Sequence, residues 1–197
     1  GMIPKIQILS SLRLASIQCI TWGHPITSGF KNIDYFISSE IMETQNSQKY
    51  YSEKLINLPG LGIDYDFPNL SNIKKPDISI KSNTVIFLNL QSLFKLLPQD
   101  DHIYLDIVKK FPNCCFWFIR GLNNSVTNIF KERISKIFKI EGFDFEEYSY
   151  FHPRCTQEEF FGLIEESDII LDSFNWSGGN TTPVSYTHLT LPTSTHV

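Results

Sequence analysis

The sequence lacks the features that would assign it to several common classes of protein. No stripe of lysine and arginine alternates with aromatic residues and the net charge is −4, so a nucleic-acid-binding role has little support. No apolar run approaches the roughly 20 residues of a membrane-spanning helix. No signal peptide is visible, so we expect a cytoplasmic chain. The four cysteines match no metal-ligand spacing and indicate buried free thiols.

The chain contains enough apolar residues for one sizeable core or for parts of two domains. It contains 197 residues, of which 42% are hydrophobic. The first segment, up to residue 75, offers three short strand candidates at 17–22, 33–38 and 54–59. A polar stretch then predicts a linker over 76–83.

From residue 84 the sequence alternates regularly between strand and helix patterns. The apolar runs TVIFLNL and CCFWFI are typical of strands that are buried on both faces. Thr156 and Glu159 fit a capping box, and Ser125 or Thr127 is expected to cap the preceding helix. The alternation predicts a Rossmann-like parallel sheet, in an α/β fold. Its strands are expected at 84–90, 114–119, 145–151 and 168–174, with helices at 101–111, from about 125, and from 156.

In a parallel sheet of this kind, ligands bind beyond the carboxyl ends of the strands. Lys95, which follows the strand at 84–90, offers a point charge to a diphosphate, although a plain surface lysine is the simpler interpretation. His152 follows the third strand and, taken alone, is a loop residue. The stretch 177–182 follows the fourth strand, where glycines allow close backbone approach and a helix start favours an anion. His24, in the turn after the first strand, is either a group that acts on or orients a substrate or an incidental turn residue.

Four stretches, in this order, resemble a known family: RLASIQCITWGHPITSGFKNIDYFISSE, YSEKLINLPGLG, LQSLFKLLP and DIILDSFNWSGGNTT. They resemble the catalytic region of the SPINDLY-type, O-linked N-acetylglucosamine transferase-like glycosyltransferases (glycosyltransferase family 41). The resemblance implies a glycosyltransferase-B architecture. Residues 1–75 would end one Rossmann-like domain, and residues 84–182 would be the first half of a second, donor-binding one.

The resemblance also implies an activity. Members of the family transfer N-acetylglucosamine from UDP-N-acetylglucosamine to protein Ser/Thr with inversion, without a metal or other cofactor. The partners implied are therefore a nucleotide sugar and an acceptor protein. Two alternatives stay open: a related transferase with another donor or acceptor, such as GDP-fucose or N-linked glucosylation, and a non-catalytic nucleotide-sugar-binding module. The fragment alone is expected to be inactive.

Site residues carry over from the family position by position. Lys95 matches a lysine that contacts the donor diphosphate, and His24 matches a loop that faces the sugar or acceptor; these two are the catalytic candidates. The nucleobase would lie near His152 and Gln157, and family members often have Lys or Arg at the position of Gln157. The remaining donor-binding candidates line the phosphate and nucleotide site, and they are Gln91, Ser92, Gly178, Gly179, Asn180, Thr181 and Thr182.

The end of the chain has a different character. Residues 184–193, VSYTHLTLPT, match the translation of a transposase-based sequencing adapter at all ten positions. We expect residues 183–197 to be adapter-derived rather than native coding sequence. The start is also expected to fall inside the family pattern. Resequencing through codon 184 tests the first expectation, because a native read that gives the same peptide contradicts it.

Overall fold

A computed structural model describes residues 3–24, 26–63 and 72–174. The chain divides into two compact units, Gly1–Asp66 and Phe67–Val197. Within the described residues, none of the helices is both long enough and apolar enough to cross a membrane. The predicted domain limits, with a linker at 76–83, stay a prediction.

The first unit is built on a small parallel sheet. Its central strand, β2, carries the buried Phe36 and is paired on both sides, with Cys19 opposite Tyr35 and Tyr35 opposite Lys54. The strand order is β1-β2-β3, as parallel strands with crossover connections give. A short N-terminal helix, α1, which the sequence patterns did not predict, starts with proline in its first turn, a position that needs no N–H donor. The elements are α1 Pro4–Ser10, β1 Cys19–Thr21, β2 Tyr35–Ser39 and β3 Lys54–Leu58.

The second unit is the predicted Rossmann-like sheet. Its four strands are all parallel and lie in the order β6-β5-β4-β7. Helices α2 and α3 cover one face and α4 packs against the other. The elements are β4 Val85–Asn89, α2 His102–Lys110, β5 Cys114–Ile119, α3 Asn124–Ile140, β6 Ser149–His152, α4 Gln157–Glu165 and β7 Ile169–Leu171.

Strand β5 shows why both faces of this sheet are apolar. Phe116 and Phe118 belong to the core under α2 and α3, whereas Trp117, between them, belongs to the core under α4. All three side chains are buried. A strand covered on both sides needs apolar residues at every position, which is the pattern that CCFWFI displays.

The structure corrects two local predictions in the second unit. Helix α3 is capped by Asn123, whose Oδ1 accepts from Ser125 N at 2.9 Å, and not by Ser125 or Thr127. Residues Phe145–Tyr148 form a 3-10 turn, so β6 begins only at Ser149. The capping box of α4 is confirmed, because Thr156 N donates to Glu159 Oε2 at 2.8 Å and Glu159 N donates to Thr156 Oγ1 at 3.4 Å.

The polar stretch before β4 lies against α4. Ile73, Ile78 and Ile80 pack on the apolar core beneath that helix, and Lys74 N donates to Glu158 O at 3.2 Å. The contact is so close that a Cβ at Gly162 would lie 1.9 Å from Lys74 O. Glycine is therefore required where this segment crosses α4.

Candidate functional site

The strand order of the second unit contains one reversal. The chain runs from β4 through β5 to β6 and then returns to the other side of β4 as β7. Asn89 and Leu171 are paired at the carboxyl ends of the two strands that flank the reversal. Because the connections leave these strands on opposite faces, a crevice opens there, and open α/β sheets bind ligands in that crevice.

The segments that leave β4 and β7 are tied together at this crevice. Gln91 Nε2 donates to Asp172 Oδ1 at 3.4 Å, while Gln91 N donates to Asn89 Oδ1 at 3.0 Å. Gln91 is 4% exposed, so its amide helps to fix the two segments against each other. Asp172, whose Oδ1 also accepts from Ser173 N at 2.8 Å, was not selected from the sequence. The only sequence signal for it is an acidic residue directly after an aliphatic run.

Lys95 lies in a short helical turn directly after the crevice. Residues Leu93–Lys95 form a 3-10 turn in which Lys95 N donates to Ser92 O at 2.8 Å. Leu93 and Leu96 are buried, Lys95 is half-buried and Ser92 is exposed. The structure therefore brings Gln91, Ser92 and Lys95 into one turn, whose main chain is fixed by core residues on either side.

An ion pair braces the end of this turn. Arg133, on α3, donates from Nε to Asp101 Oδ2 at 2.6 Å and from Nη2 to Asp101 Oδ1 at 2.9 Å. The same Nη2 donates to Leu96 O at 2.7 Å. Burial raises the pKa of the Asp101 carboxyl, against the opposing effect of Arg133. One guanidinium thus holds both the residue after Lys95 and the start of α2. No pattern in the sequence predicts this pairing.

A cavity of about 220 Å³ lies beside Asn89 and Asp172. Among the described residues that line it there is no lysine or arginine, and Asp100 and Asp101 add negative charge. This lining suits an apolar group better than a diphosphate. Lys95, and not this cavity, therefore stays the predicted contact for the donor diphosphate. Its apolar lining residues are Leu96, Leu97, Ile103, Ile170, Leu171 and Phe174.

His152 and Gln157 lie at the same carboxyl edge of the sheet, but beside its outer strand, β6. His152 ends β6, and β5 lies between β6 and β4. The His152 ring is half-buried, with Nδ1 at 2.7 Å from Pro153 O. Gln157 is the exposed first residue of α4, directly after the Thr156 cap. The two residues flank one loop, as expected, and they are separated from the Lys95 turn by the width of a strand.

His24 belongs to the first unit, in the loop that follows β1. It is half-buried, and its carbonyl accepts from Ile26 N at 2.9 Å. The far side of the loop is anchored on Glu53, which accepts from Thr27 Oγ1 at 2.6 Å, from Ser28 N at 2.8 Å and from Ser28 Oγ. Burial alone would raise the pKa of Glu53, but these hydrogen bonds outweigh it and lower the pKa to about 2. A carboxylate that is charged at all ordinary pH values therefore fixes this loop.

The remaining candidates, Gly178, Gly179, Asn180, Thr181 and Thr182, lie outside the described residues. Within the described ranges, the side chains of His, Cys, Asp and Glu form no group of three or more that suits a metal ion. All four cysteines are free thiols; Cys114 is buried as expected, whereas Cys19 is exposed.

Comparison with solved structures identifies the class of fold to which the chain belongs. The structure superposes on an O-GlcNAc transferase mutant (K341M) from Thermobaculum terrenum with a TM-score of 0.65, covering 87% of this chain and 31% of that one at 16% sequence identity. The chain thus has the α/β architecture of glycosyltransferase-B proteins, as expected from its sequence. No protein-family profile matches it.

Sequence comparison leads to a more specific group. The chain is 29% identical, over 119 residues, to a probable UDP-N-acetylglucosamine–peptide N-acetylglucosaminyltransferase SEC from Arabidopsis thaliana. It is 26% identical, over 187 residues, to a UDP-glucose:protein N-beta-glucosyltransferase from Actinobacillus pleuropneumoniae. These matches cover 56% and 91% of this chain. The chain is a distant homologue of the O-GlcNAc transferase, SPINDLY and bacterial protein glucosyltransferase group, which confirms the resemblance. It spans 12% and 28% of the lengths of those two relatives.

Proposed function

We propose that this chain is part of a glycosyltransferase that transfers a sugar from a UDP-sugar to a protein acceptor. The names of the relatives support both halves of the proposal, because they specify a UDP-sugar donor and a peptide or protein acceptor. The observation that carries it in this chain is the turn at Lys95, which directly follows the strand next to the sheet reversal.

In the proposed reaction, the acceptor atom forms a bond to the anomeric carbon of the sugar and gives up its proton to a base. The bond between the sugar and the diphosphate breaks, and negative charge grows on the leaving UDP. Lys95 would stabilise that charge as a cation held in place before the reaction starts. Ser92 is exposed in the same turn and offers a hydroxyl donor, while Gln91 fixes the turn against Asp172. The brace from Arg133 to Leu96 O limits movement of the Lys95 main chain during this step.

The other roles that we propose are those that the family resemblance implies, residue by residue. Residues 178–182 are proposed to hold the pyrophosphate. His152 and Gln157 are proposed to lie beside the nucleobase. We propose that His24, on the loop that Glu53 anchors, faces the sugar or the acceptor. The proposed chemistry needs no metal, since Lys95 and backbone N–H groups would neutralise the diphosphate.

Two donors are the leading candidates. The first is UDP-N-acetylglucosamine, transferred to Ser/Thr. The second is UDP-glucose, transferred to Asn. Relatives of both kinds align with most of this chain, since the bacterial N-glucosyltransferase aligns with 91% of it and a SPINDLY-type N-acetylglucosaminyltransferase from Hordeum vulgare with 86%. GDP-fucose, and binding without catalysis, are further outcomes that the same test separates.

The direct test is nucleotide binding by the 197-residue chain, measured by isothermal titration calorimetry with UDP, UDP-N-acetylglucosamine, UDP-glucose and GDP-fucose. We expect UDP and at least one UDP-sugar to bind, and Lys95→Ala to weaken UDP binding by about tenfold or more, as the loss of one charge-assisted contact predicts. Lys110→Ala, which removes an exposed charge at the end of α2, is the matched control and should bind as the wild type does.

Three results would count against the proposal: no UDP binding by a folded chain, preference for GDP-fucose, or equal weakening by the Lys95 and Lys110 variants. Catalysis is tested separately, by following UDP release and sugar incorporation into acceptor peptides that contain Ser, Thr or Asn. Binding without turnover in a protein that supplies the remaining parts of the relatives would favour the non-catalytic module.

A further inference from the structure

A second cavity, of about 250 Å³, lies at the carboxyl end of β5, where the chain enters α3. Two of its lining side chains, Arg120 and Lys131, are cations, and none of the described residues that line it is acidic. The others carry hydroxyl or amide groups that can donate hydrogen bonds. The cavity is lined by Arg120, Asn124, Thr127, Asn128 and Lys131.

Both cations are held by the same residue of the neighbouring strand. Arg120 Nε donates to Phe151 O at 3.1 Å, and Lys131 Nζ lies 4.5 Å from the centroid of the Phe151 ring. Neither cation has a carboxylate partner within 4 Å in the described part of the chain, where Arg13, Lys75, Lys109 and Arg133 do form ion pairs. Two cations fixed at one cavity repel each other, and an anion between them removes that repulsion.

Thr127 adds a buried donor to the cavity. It is 4% exposed, and its Oγ1 accepts from Gly121 N at 3.1 Å. That bond uses a lone pair of the oxygen and leaves the hydroxyl hydrogen, for which the described residues supply no acceptor. Asn124 begins a helix of 17 residues, and the positive end of the helix dipole lies at its first turn.

From these three features we infer that the cavity binds an oxyanion with the chemistry of a phosphate group. Arg120 would supply the guanidinium donors that Phe151 O does not use, Lys131 the second charge, and Thr127 a buried hydroxyl. The cavity is at the carboxyl edge of the same sheet as Lys95 but beyond a different strand, so the inference does not depend on the proposed function. The oxyanion could be free phosphate or the phosphate of a nucleotide.

The inference is tested by titrating the full chain with inorganic phosphate at low ionic strength, following the backbone amides of Gly121 and Asn124 by NMR. We expect saturable shifts at both amides and a dissociation constant that rises by roughly tenfold or more in the Arg120→Ala/Lys131→Ala double variant. If the double variant does not fold, Lys131→Ala alone is the substitute, because it keeps the contact between Arg120 and Phe151. It should raise the dissociation constant for phosphate by less than the double variant would.

The matched control is Lys136→Ala/Lys139→Ala, which removes two exposed charges from the same helix without touching the cavity. It should leave phosphate binding unchanged. Equal weakening in both double variants, or no saturable shift in the wild-type chain, overturns the inference.

UDP then separates the two sources of the oxyanion. Displacement of phosphate by UDP assigns the site to a nucleotide phosphate, whereas simultaneous binding assigns it to a separate oxyanion. Lys95→Ala should not change phosphate binding here, so failure of this inference and failure of the proposed function give different results.

Discussion

Arg133 and Asp101 form a two-bond ion pair between α3 and the start of α2, with Nε–Oδ2 at 2.6 Å and Nη2–Oδ1 at 2.9 Å. The Asp101 side chain is 1% exposed and that of Arg133 is 26% exposed. The pair also reaches Leu96 O, one residue beyond Lys95. A contact between helices therefore sets the position of the turn that carries the proposed diphosphate ligand.

Breaking this pair from one side should be costly. In Arg133→Met the Asp101 carboxylate stays buried without a partner, and we expect the free energy of unfolding to fall by about 2–4 kcal/mol. Urea unfolding followed by circular dichroism measures the change. The double variant Arg133→Met/Asp101→Asn should recover part of the loss, because it no longer buries a lone charge. If the loss in the double variant equals the sum of the losses in Arg133→Met and Asp101→Asn, the two side chains do not act as a pair.

The carboxylate of Glu53 predicts a pH dependence in the first unit. Its pKa in the folded chain is about 2, below the ordinary 4.5. The unfolded chain therefore takes up the proton first as the pH falls. The contribution of Glu53 to stability is complete above about pH 4.5 and is lost as the pH falls towards 2.

NMR can follow this titration directly. The Glu53 carboxyl carbon and the Ser28 amide, which donates to it at 2.8 Å, should shift together with a midpoint near 2. In Glu53→Gln the Ser28 amide should lose that step and exchange faster with solvent, and the unfolding free energy should fall by about 1–3 kcal/mol. A midpoint near 4.5 would contradict the proposed anchoring of the loop that carries His24.

The sequence predicted the sheet better than it predicted the site. CCFWFI was assigned its exact strand, Cys114–Ile119, because a strand covered on both faces must be apolar throughout. Lys95 could be selected because it follows such a strand. Asp101 and Asp172 could not be selected, since the pattern of residues does not show that Asp101 becomes buried against Arg133 or that Asp172 accepts from Gln91. Gln91 stays a predicted donor-binding residue, and its described contacts tie it to Asp172 and Asn89.

The cap of α3 shows the same limit at a single helix end. Asn123, Ser125 and Thr127 all have side chains that cap helices well, so composition does not distinguish among them. The structure does, because Asn123 has an extended backbone (φ −112, ψ 131) and accepts from Ser125 N. We expect Asn123→Ala to lower the free energy of unfolding by about 1 kcal/mol and Ser125→Ala to leave it nearly unchanged. Thermal unfolding of both variants decides between the two caps, and the reverse order would support the sequence-based choice.

Replacing Gly162 by alanine should change the free energy of unfolding in the opposite direction from most glycine-to-alanine substitutions in helices. In an exposed helix, replacing glycine by alanine stabilises by about 0.5–1 kcal/mol, since alanine is the better helix former. At Gly162, however, the added methyl group would lie 1.9 Å from Lys74 O and 2.7 Å from the Lys74 carbonyl carbon. Both are backbone atoms, so the segment that carries Ile73, Ile78 and Ile80 would have to move away from α4. We therefore expect Gly162→Ala to lower the free energy of unfolding by about 1–3 kcal/mol.

The matched substitution is Ser135→Ala on α3, which changes helix propensity without a backbone contact of this kind and should be neutral or slightly stabilising. Hydrogen exchange gives the local readout, because Lys74 N donates to Glu158 O at 3.2 Å and should exchange faster only in the Gly162 variant. If Gly162→Ala stabilises the chain as Ser135→Ala does, the segment before β4 does not lie against α4.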